Sequence, residues 1–421
     1  MSMLDRAIIV GGGIGGLTAA RALRLRGIHV TLLEKAASFH PTTGAAIGCS
    51  ANGQICLEFL GLAPQLDPIL HPFRRYRVTG AGNMTLHEDN VFEQLHDRTG
   101  FGLGGVLRAD LIRVLAESLD DGVIHYNSKV VSVHETPSEA QVMLEDGAIV
   151  SADVVIGADG IHSTVAAAVD PSRDAPVYCG ANVFYGVLDH IPPTGSPGTF
   201  QQHYDRGVYV QYPAGPSHFV WGQVYKARAA PPSRSKEWTG ADDCDDAIQA
   251  FATTLCSSHP LHGVLAETPR DRLLHFGLSY CKPNATWHSH RIVLLGDACH
   301  ATLPFTGQGA NLAIEDGVVL AQLLGRPLQG DPTAAFDAYC QLRFARTKKL
   351  VNLSWAMGKV AALDGPVTQY VRNAILRALF ASKVVMKGMM NDIVANCPVP
   401  VPTTQRRRAW RNHQVVSTPT L

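Results

Sequence analysis

The sequence lacks the features that mark several protein classes. Its nine cysteines are scattered over 421 residues and never spaced Cys-x-x-Cys, which disfavours a disulfide framework or a zinc site and favours a reducing compartment. No apolar run reaches the ~20 residues of a membrane span, and no signal peptide precedes the first predicted strand. Basic and acidic residues both number 36, so the positive excess of a nucleic-acid binder is absent. We expect a cytoplasmic enzyme of two or three domains.

A glycine-rich stretch near the start of the chain contains a cofactor motif. Residues 6–10 are predicted to form a strand and 17–25 a helix, and the pattern Gly-x-Gly-x-x-Gly lies between them. This spacing suits a tight turn, an approach to a pyrophosphate without side chains, and close helix packing. A second strand, 29–33, ends at Glu34, whose carboxylate can bond a ribose. The motif glycines are Gly11, Gly13 and Gly16.

The same pattern recurs at residues 100–105 without this context. Residues 93–99 before it are mostly polar, and no acid closes a second strand at the matching distance downstream. The motif requires a strand before it and a helix after it. We therefore interpret 100–105 as a flexible loop leading into a helix.

The stretch Arg291–Leu320 is predicted to form a strand, a loop and a helix. Residues 292–295 have the length and composition of a buried strand, which ends before Asp297. Helical spacing of apolar residues begins near Asn311. A helix N-terminus carries about half a positive charge, so this arrangement suits a phosphate, a carboxylate or an anionic ring. The loop contains Pro304, Gly307 and Gly309.

Three motifs in chain order resemble those of the single-component flavin-dependent aromatic hydroxylases, typified by para-hydroxybenzoate and salicylate hydroxylases. They are GGGIGG at 11–16 followed by Glu34, GADGIHSTV at 157–165, and GDACHATLPFTGQGANLAIEDG at 296–317. The resemblance extends over most of residues 7–350. Other positions that fall where the family has them are Arg108, Trp287, Tyr339, Arg343 and Arg346.

The resemblance implies an α/β fold: a Rossmann-like FAD-binding domain interrupted by a mostly antiparallel β-sheet substrate domain, plus C-terminal helices. Short runs rich in Val, Tyr, Phe and Trp between residues 177 and 280 are typical of antiparallel strands. The expected FAD-binding domain comprises 1–75, 100–172 and 281–350, and the substrate sheet comprises 76–99 and 173–280. A helical segment at 351–400 and a mobile tail at 401–421 would complete the chain.

The resemblance also implies a cofactor and a reaction. NADH or NADPH would reduce FAD, O₂ would add to give a flavin C4a-hydroperoxide, and one oxygen atom would pass to a small phenolic or heteroaromatic substrate. Neither a metal nor a side-chain nucleophile is required. The implied cofactor-binding residues are Gly11, Gly13, Gly16, Glu34, Arg108, Asp159, Asp297, Pro304, Gly307, Gly309, Ala310 and Asn311.

Two positions depart from the family pattern. Ala166 stands where the Asp-Gly motif ends in an arginine, and that motif is linked to both flavin and nicotinamide handling. Tyr185 stands where many relatives carry an arginine before a glycine. We expect nicotinamide docking, substrate binding or flavin movement to differ accordingly.

The candidates for substrate chemistry lie in the middle of the chain. A base or a relay near a phenol hydroxyl would accelerate hydroxylation by about 10²–10⁴-fold, and we predict this role for Tyr212, Tyr185 and His203. Packing is the competing interpretation, because a tyrosine on a sheet usually fills space and satisfies its hydroxyl nearby. His288, His290 and His300 lack a metal-binding pattern and are interpreted as loop residues.

The C-terminal residues 350–396 alternate apolar and basic groups at helical spacing. A helix on a membrane surface would show this pattern, but packing on the body or on a sister subunit of a homodimer is favoured. The leading hypothesis is a hydroxylase acting with NAD(P)H and O₂. The alternatives are an alkene epoxidase, a flavoprotein reductase or oxidase without oxygen insertion, and a flavin-binding regulatory protein.

Overall fold

The structure of the chain is a computed structural model. It describes residues 4–39, 45–193, 195–196, 198–231, 244–326, 330–365, 367–382, 384–386, 388, 397 and 399. The strands are β1 Arg6–Val10, β2 His29–Leu33, β3 Ala46–Cys49, β4 His71–Pro72, β5 Arg75–Gly80, β6 Met84–Asp89, β7 Gly104–Leu107, β8 Ile124–His125, β9 Val130–Glu135, β10 Ala140–Leu144, β11 Ile149–Ala152, β12 Val154–Gly157, β13 Val177–Leu188, β14 Thr199–Tyr204, β15 Val208–Ala214, β16 His218–Lys226, β17 Leu273–Tyr280 and β18 Ile292–Leu294. The helices are α1 Ile14–Arg24, α2 Ala51–Phe59, α3 Ala63–Leu66, α4 Val91–Thr99, α5 Arg108–Glu117, α6 Thr164–Val169, α7 Cys244–Ala252, α8 Leu261–Leu265, α9 Asp297–His300, α10 Gly309–Leu324, α11 Thr333–Ala361 and α12 Thr368–Ala381.

A five-stranded parallel sheet forms the first half of the fold. Its order is β18-β12-β1-β2-β8. Strands β18, β12 and β1 are apolar and almost entirely buried, as is typical of a parallel sheet covered on both faces. Helices α1 and α10 cross closely because Gly317 has no side chain: a Cβ there would lie 2.8 Å from the Ala19 nitrogen. Because β1 and β18 run parallel in this sheet, the Gly11–Gly16 loop and the Asp297 turn that follow them lie at the same edge.

A seven-stranded sheet forms the second half, in the order β17-β13-β16-β15-β14-β5-β6. Its pairs are antiparallel except β14 with β5. One face, which we call the front face, carries Tyr76, Tyr185 and Tyr212. The other, the back face, packs Tyr209 and Trp221 against α7 and α8. The expected α/β class with an antiparallel sheet and C-terminal helices is therefore confirmed.

The second glycine-rich stretch is only in part the loop that its sequence indicated. Residues Gly104–Leu107 form β7, which pairs antiparallel with β3, and the polar residues before it form α4. A Cβ on Gly105 would lie 2.1 Å from the Pro213 carbonyl oxygen. The glycine thus lets β7 approach the end of the seven-stranded sheet. Residues 100–103 have neither helix nor strand, and α5 follows at Arg108, as predicted. The loop prediction was wrong for Gly104 and Gly105, because this packing is not visible in the local pattern.

The C-terminal helices cover the seven-stranded sheet. The Phe380 ring of α12 packs edge-on against Tyr76, with 5.5 Å between ring centroids, and Arg372 donates to the Tyr204 carbonyl oxygen at 2.9 Å. The predicted mobile tail lies outside the described residues. Among the described helices, none combines the length and the apolar character that crossing a membrane requires.

Candidate active site

The glycines of the first motif have distinct roles. Gly11 has φ +104°, and a Cβ there would lie 2.5 Å from the Ala158 carbonyl oxygen. A Cβ on Gly16 would lie 2.0 Å from the Gly11 oxygen, so both glycines permit the tight turn. A Cβ on Gly13 would meet no atom within 4 Å. Gly13 therefore faces open space, which a pyrophosphate could approach.

Glu34 holds this loop in place. Its Oε2 accepts from the Gly12 amide at 2.7 Å and its Oε1 from the Ala36 amide at 2.9 Å. Each oxygen retains a further lone pair for a ribose hydroxyl. Phe39 and Tyr126 nearby belong to the lining of a cavity of about 330 Å³, a size within the range of ligand sites. The other lining residues are Ser38, Ala109, Asp110, Arg113, Ala116 and Glu117.

Arg108 lies in the cleft between two acids. Burial lowers its pKa, and the opposing influences come from Glu34 and Asp297. Its guanidinium has no hydrogen bond or ion pair with any residue that the structure describes. The Asp297 side chain is open to solvent, yet surrounding protein raises its pKa, as expected for a carboxyl group that lines a deep cleft. A cation without a partner fits the phosphates of FAD.

Asp159 holds the start of α6 in place. Its carboxylate accepts from the Ser163 hydroxyl at 2.5 Å and from the Thr164 amide at 2.7 Å, so it caps α6. Burial raises its pKa against these bonds. Ala166 follows within α6 and is 3% exposed in the core. Arg173, which the sequence did not single out, donates to the Ala298 carbonyl oxygen beside Asp297 at 2.5 Å.

The loop before α10 is fixed by side chains that face the protein. Pro304–Thr306 forms a single 3₁₀ turn, and Gly307 after it has φ +62°. The Asn311 amide accepts from the Ser50 nitrogen at 3.0 Å and donates to the carbonyl oxygens of Gly48 and Gly307, both at 2.9 Å. The Asn311 side chain is thus used within the protein. The amides of Gly309 and Ala310, at the N-terminus of a 16-residue helix, provide the positive end that could face an anionic ring.

A buried charge cluster holds the Asp297 turn, and sequence reasoning missed its two acids. Asp316 accepts from the Gly296 amide at 3.0 Å, from His300 Nε2 at 2.5 Å and from Arg343 Nε at 2.7 Å. Burial alone would raise the pKa of Asp316, but His300 and Arg343 lower it to about 2. His300 lies in α9, so its interpretation as a loop residue was wrong.

The neighbouring acid completes the charge cluster. Glu315 bonds Arg343 at 2.5 Å, Arg346 at 2.6 Å and the Asn52 amide at 2.7 Å. Burial opposes ionisation of Glu315, yet the two arginines lower its pKa. The signal available in the sequence was two consecutive acids inside an otherwise apolar helix, at positions where a buried charge needs a partner.

The two predicted catalytic tyrosines converge on one peptide of β3. The Tyr185 hydroxyl accepts from the Ala46 amide at 2.6 Å, and the Tyr212 hydroxyl donates to the Ala46 carbonyl oxygen at 3.2 Å. Burial raises the pKa of Tyr185 well above its usual value and that of Tyr212 to about 12. Both hydroxyls therefore stay protonated near neutral pH. The preceding residue, Ala45, accepts from the Arg108 amide at 3.2 Å.

His203 is not brought together with the tyrosines, contrary to expectation. Its Nδ1 bonds the Thr79 hydroxyl at 2.8 Å, and its ring lies edge-on to His259 with centroids 4.6 Å apart. His259 packs against Tyr209 of the back face. Successive strand residues point to opposite faces, so His203 lies behind the sheet that carries Tyr185 and Tyr212 on its front.

Comparisons with known proteins identify the cofactor of this chain. Residues 5–354 match a family model described as FAD binding domain, so the protein is an FAD-binding flavoprotein. The chain is 30% identical to the FAD-dependent monooxygenase esdpE of Penicillium shearii over 83% of this chain and 77% of that protein. It is 31% identical to 3-amino-4-hydroxybenzoate 2-monooxygenase PtmB3 of Streptomyces platensis over 86% and 90%. The chain belongs to the FAD-dependent monooxygenases, and the resemblance to flavin hydroxylases is confirmed.

Solved structures share the fold. HpxO of Klebsiella pneumoniae complexed with FAD and uric acid superposes with a TM-score of 0.82 at 23% identity, over 93% of this chain and 97% of that one. CtdE in complex with FAD and a substrate gives 0.74 at 22% identity, over 90% and 100%. At this identity the likeness concerns the fold alone.

Proposed function

We propose that this monooxygenase uses NADH or NADPH and O₂ to hydroxylate a small phenolic or heteroaromatic substrate. The observation that carries the proposal is the convergence on Ala45 and Ala46. The cofactor-side Arg108 bonds Ala45, and the front-face residues Tyr185 and Tyr212 bond Ala46. The cofactor cleft and the front face therefore meet at two consecutive peptides. The name of the aminohydroxybenzoate monooxygenase relative supports an aromatic substrate.

The residues of this chain would bind and orient the cofactor. Gly13 and Arg108 would hold the phosphates, Glu34 the adenosine ribose, and Asp297 the ribityl or pyrophosphate region. The amides of Gly309 and Ala310 would stabilise negative charge on the flavin ring. Bound FAD supplies the electron transfer and oxygen chemistry for which the side chains have no substitute.

The front face would orient the substrate in neutral surroundings. Tyr185 and Tyr212 stay protonated because burial raises their pKa values, so they act as hydrogen-bonding groups and not as bases. The Phe200 ring stacks on the Tyr212 ring with 5.4 Å between their centroids. The Phe73 ring packs edge-on against the same tyrosine ring, with 5.5 Å between their centroids. This apolar wall excludes water from the reacting side of the site.

The proposal is tested with FAD-loaded protein and a panel of phenols, N-heterocycles and alkenes. Substrate-dependent oxidation of NADH or NADPH and incorporation of one atom from ¹⁸O₂ into the product are expected. Hydrogen peroxide is measured in parallel to quantify uncoupled turnover. NAD(P)H oxidation without labelled product would indicate a reductase or oxidase. A labelled epoxide would assign the alkene alternative.

A further inference from the structure

The front face of the seven-stranded sheet carries a side chain whose hydrogen-bonding groups are only partly used. Gln202 of β14 shares this face with Phe200 and Tyr204, because alternate residues of a strand point the same way and both rings pack in the front-face core. Its Oε1 accepts from the Tyr76 hydroxyl at 2.7 Å and from the Tyr204 hydroxyl at 3.4 Å. Its Nε2 group can donate two hydrogen bonds, but it bonds none of the residues that the structure describes. The amide is therefore held in place with its donor end unused.

The groups around Gln202 do not compete for this donor. Two of the front-face tyrosine hydroxyls donate to Gln202, and the other two, those of Tyr185 and Tyr212, donate to the Ala46 carbonyl oxygen. The positions in line with Gln202 on β15, β16 and β5 have no polar side chain: they are Val210, Gly222 and Val78. Among these residues, Gln202 alone presents an unused hydrogen-bond donor on an apolar surface.

Gln202 lies in an accessible part of the front face. It is half-buried, as are Phe200 and Val210 beside it, whereas Tyr212 and Tyr204 are only 7% and 5% exposed. Gln202 pairs with Val210, two residues before Tyr212, and such diagonal neighbours on one face lie about 7–8 Å apart. Tyr212 is one of the two residues that join the front face to the cofactor cleft. A small molecule bound beside Tyr212 would therefore come within reach of the Gln202 amide.

We propose that Gln202 determines substrate specificity by donating a hydrogen bond from Nε2 to a neutral acceptor of the substrate, namely a ketone, aldehyde or amide carbonyl oxygen. The inference rests on the proposed function, because it takes the front face as the substrate side of the site. A neutral acceptor is favoured over a carboxylate because the surroundings are apolar, and a buried charge without a partner is costly. The two tyrosine bonds fix the amide, so its donor is preorganised. A substrate without the acceptor would leave this donor unpaired and bind more weakly.

The test measures the binding of paired phenols to the full FAD-loaded chain without NAD(P)H, through the change in flavin absorbance. The probes are ortho-, meta- and para-hydroxyacetophenone, each paired with the ethylphenol of the same substitution, so that the members of a pair differ in the carbonyl oxygen. In at least one pair the ketone should bind more tightly by about two- to tenfold, which is the effect of one neutral hydrogen bond.

Two variants remove the donor in different ways. Gln202→Met keeps the length and neutrality of the side chain, and its sulfur is a weak acceptor for the two tyrosines. Gln202→Glu, measured at pH 8, keeps a strong acceptor for them and replaces the donor by a carboxylate oxygen. Both variants should lose the preference for the ketone. Because they retain the tyrosine contacts to different degrees, a loss common to both reports the missing donor and not a change in folding.

Gln201→Met is the matched control. Gln201 precedes Gln202 on β14 and points to the back face, where its Oε1 accepts from Gln211 at 3.1 Å, so this variant should keep the preference. A preference that persists in both Gln202 variants, or equal binding of the two members in every pair, would overturn the inference and leave the proposed function standing. Absence of binding by all these phenols would also overturn the inference, and labelled product from the broader substrate panel then shows whether the proposed function fails with it.

Discussion

Two buried polar clusters differ in how they carry charge. The charge cluster beside the cofactor cleft is ionised: Asp316 and Glu315 share Arg343, which bonds them at 2.7 and 2.5 Å. The histidine cluster, His203 with His259 behind the seven-stranded sheet, is neutral. Burial lowers the pKa of His203 to about 4 and that of His259 to about 3, and the Nε2 atom of each ring has no partner among the described residues.

The difference shows what buried charge does in this fold. A buried ion pair contributes little net stability over an apolar replacement, but removing one partner is costly. Its bonds are directional, and here they fix the Gly296 amide immediately before Asp297. The histidine cluster has two rings in edge contact and few directional bonds. We infer that the first cluster orients the cofactor turn and that the second mainly fills space.

The largest expected effect comes from breaking the charge cluster at its centre. Arg343→Met leaves two buried carboxylates with one cation fewer, which should lower the free energy of unfolding by about 3–5 kcal/mol. Urea unfolding measures the loss. Arg113→Met is the control, because Arg113 pairs with Asp110 and Glu117 on the surface and should cost less than about 1 kcal/mol. Equal losses in the two variants would contradict the comparison.

As the pH falls, the protein should lose stability through the histidine cluster before it does so through the charge cluster. Unfolded imidazoles bind protons near pH 6.5, but the folded pKa values of His203 and His259 are about 4 and about 3. The unfolding constant should therefore rise about tenfold per pH unit for each histidine as the pH falls from 6.5 towards 4. Asp316 has a lowered pKa of about 2, so its stabilisation is complete above about pH 4 and is lost only below it.

His259→Gln isolates this effect. Between pH 6.5 and 4, the unfolding constant of the variant should rise about tenfold less per pH unit than that of the unchanged protein. Urea unfolding at several pH values measures this difference. His125→Gln, at an exposed position in β8, serves as the control. An unchanged slope in His259→Gln would show that the histidine cluster does not set the acid sensitivity.

The sequence predicted the elements around the parallel sheet better than those of the seven-stranded sheet, for physical reasons. The turn at Gly11 and Gly16 depends on local backbone geometry, so its glycines are readable from spacing alone. The predicted 29–33 strand matches β2 to the residue. The face of the sheet on which His203 lies, in contrast, depends on the register of β14 against its neighbouring strands. Alternation along a strand shows which residues share a face, but it does not show which face of the sheet they occupy.

Long-range partners could not be read from local patterns. Arg173 reaches Ala298 across 125 positions, and Asn52 reaches Glu315 across 263. The local pattern also did not show that the Asp159 carboxylate caps the helix that follows it. The acids Glu315 and Asp316 lay within the quoted motif, yet only the fold shows that α11 supplies their cations.

The charge cluster can also be probed without breaking it. Asp316→Asn keeps the shape and removes the charge that bonds His300 and Arg343. The Asp297 turn should loosen, and the dissociation constant of FAD should rise about tenfold, equivalent to about 1.4 kcal/mol. Flavin fluorescence measures it. Asp120→Asn, which changes an exposed pair with Arg24, is the control. A destabilised variant with unchanged FAD affinity would make Asp316 a purely structural residue.

The last prediction concerns the front face. Tyr185→Phe removes the acceptor of the buried Ala46 amide, and such a loss costs about 1–3 kcal/mol. Tyr212→Phe should cost less, about 0.5–1.5 kcal/mol, because the Ala46 carbonyl oxygen keeps a second contact with Tyr185 at 3.3 Å. Urea unfolding ranks the two variants. Since neither hydroxyl bonds the charge cluster, both variants should retain FAD. If Tyr212→Phe is less stable than Tyr185→Phe, the Tyr212 hydroxyl and not the Tyr185 hydroxyl is the main anchor of β3.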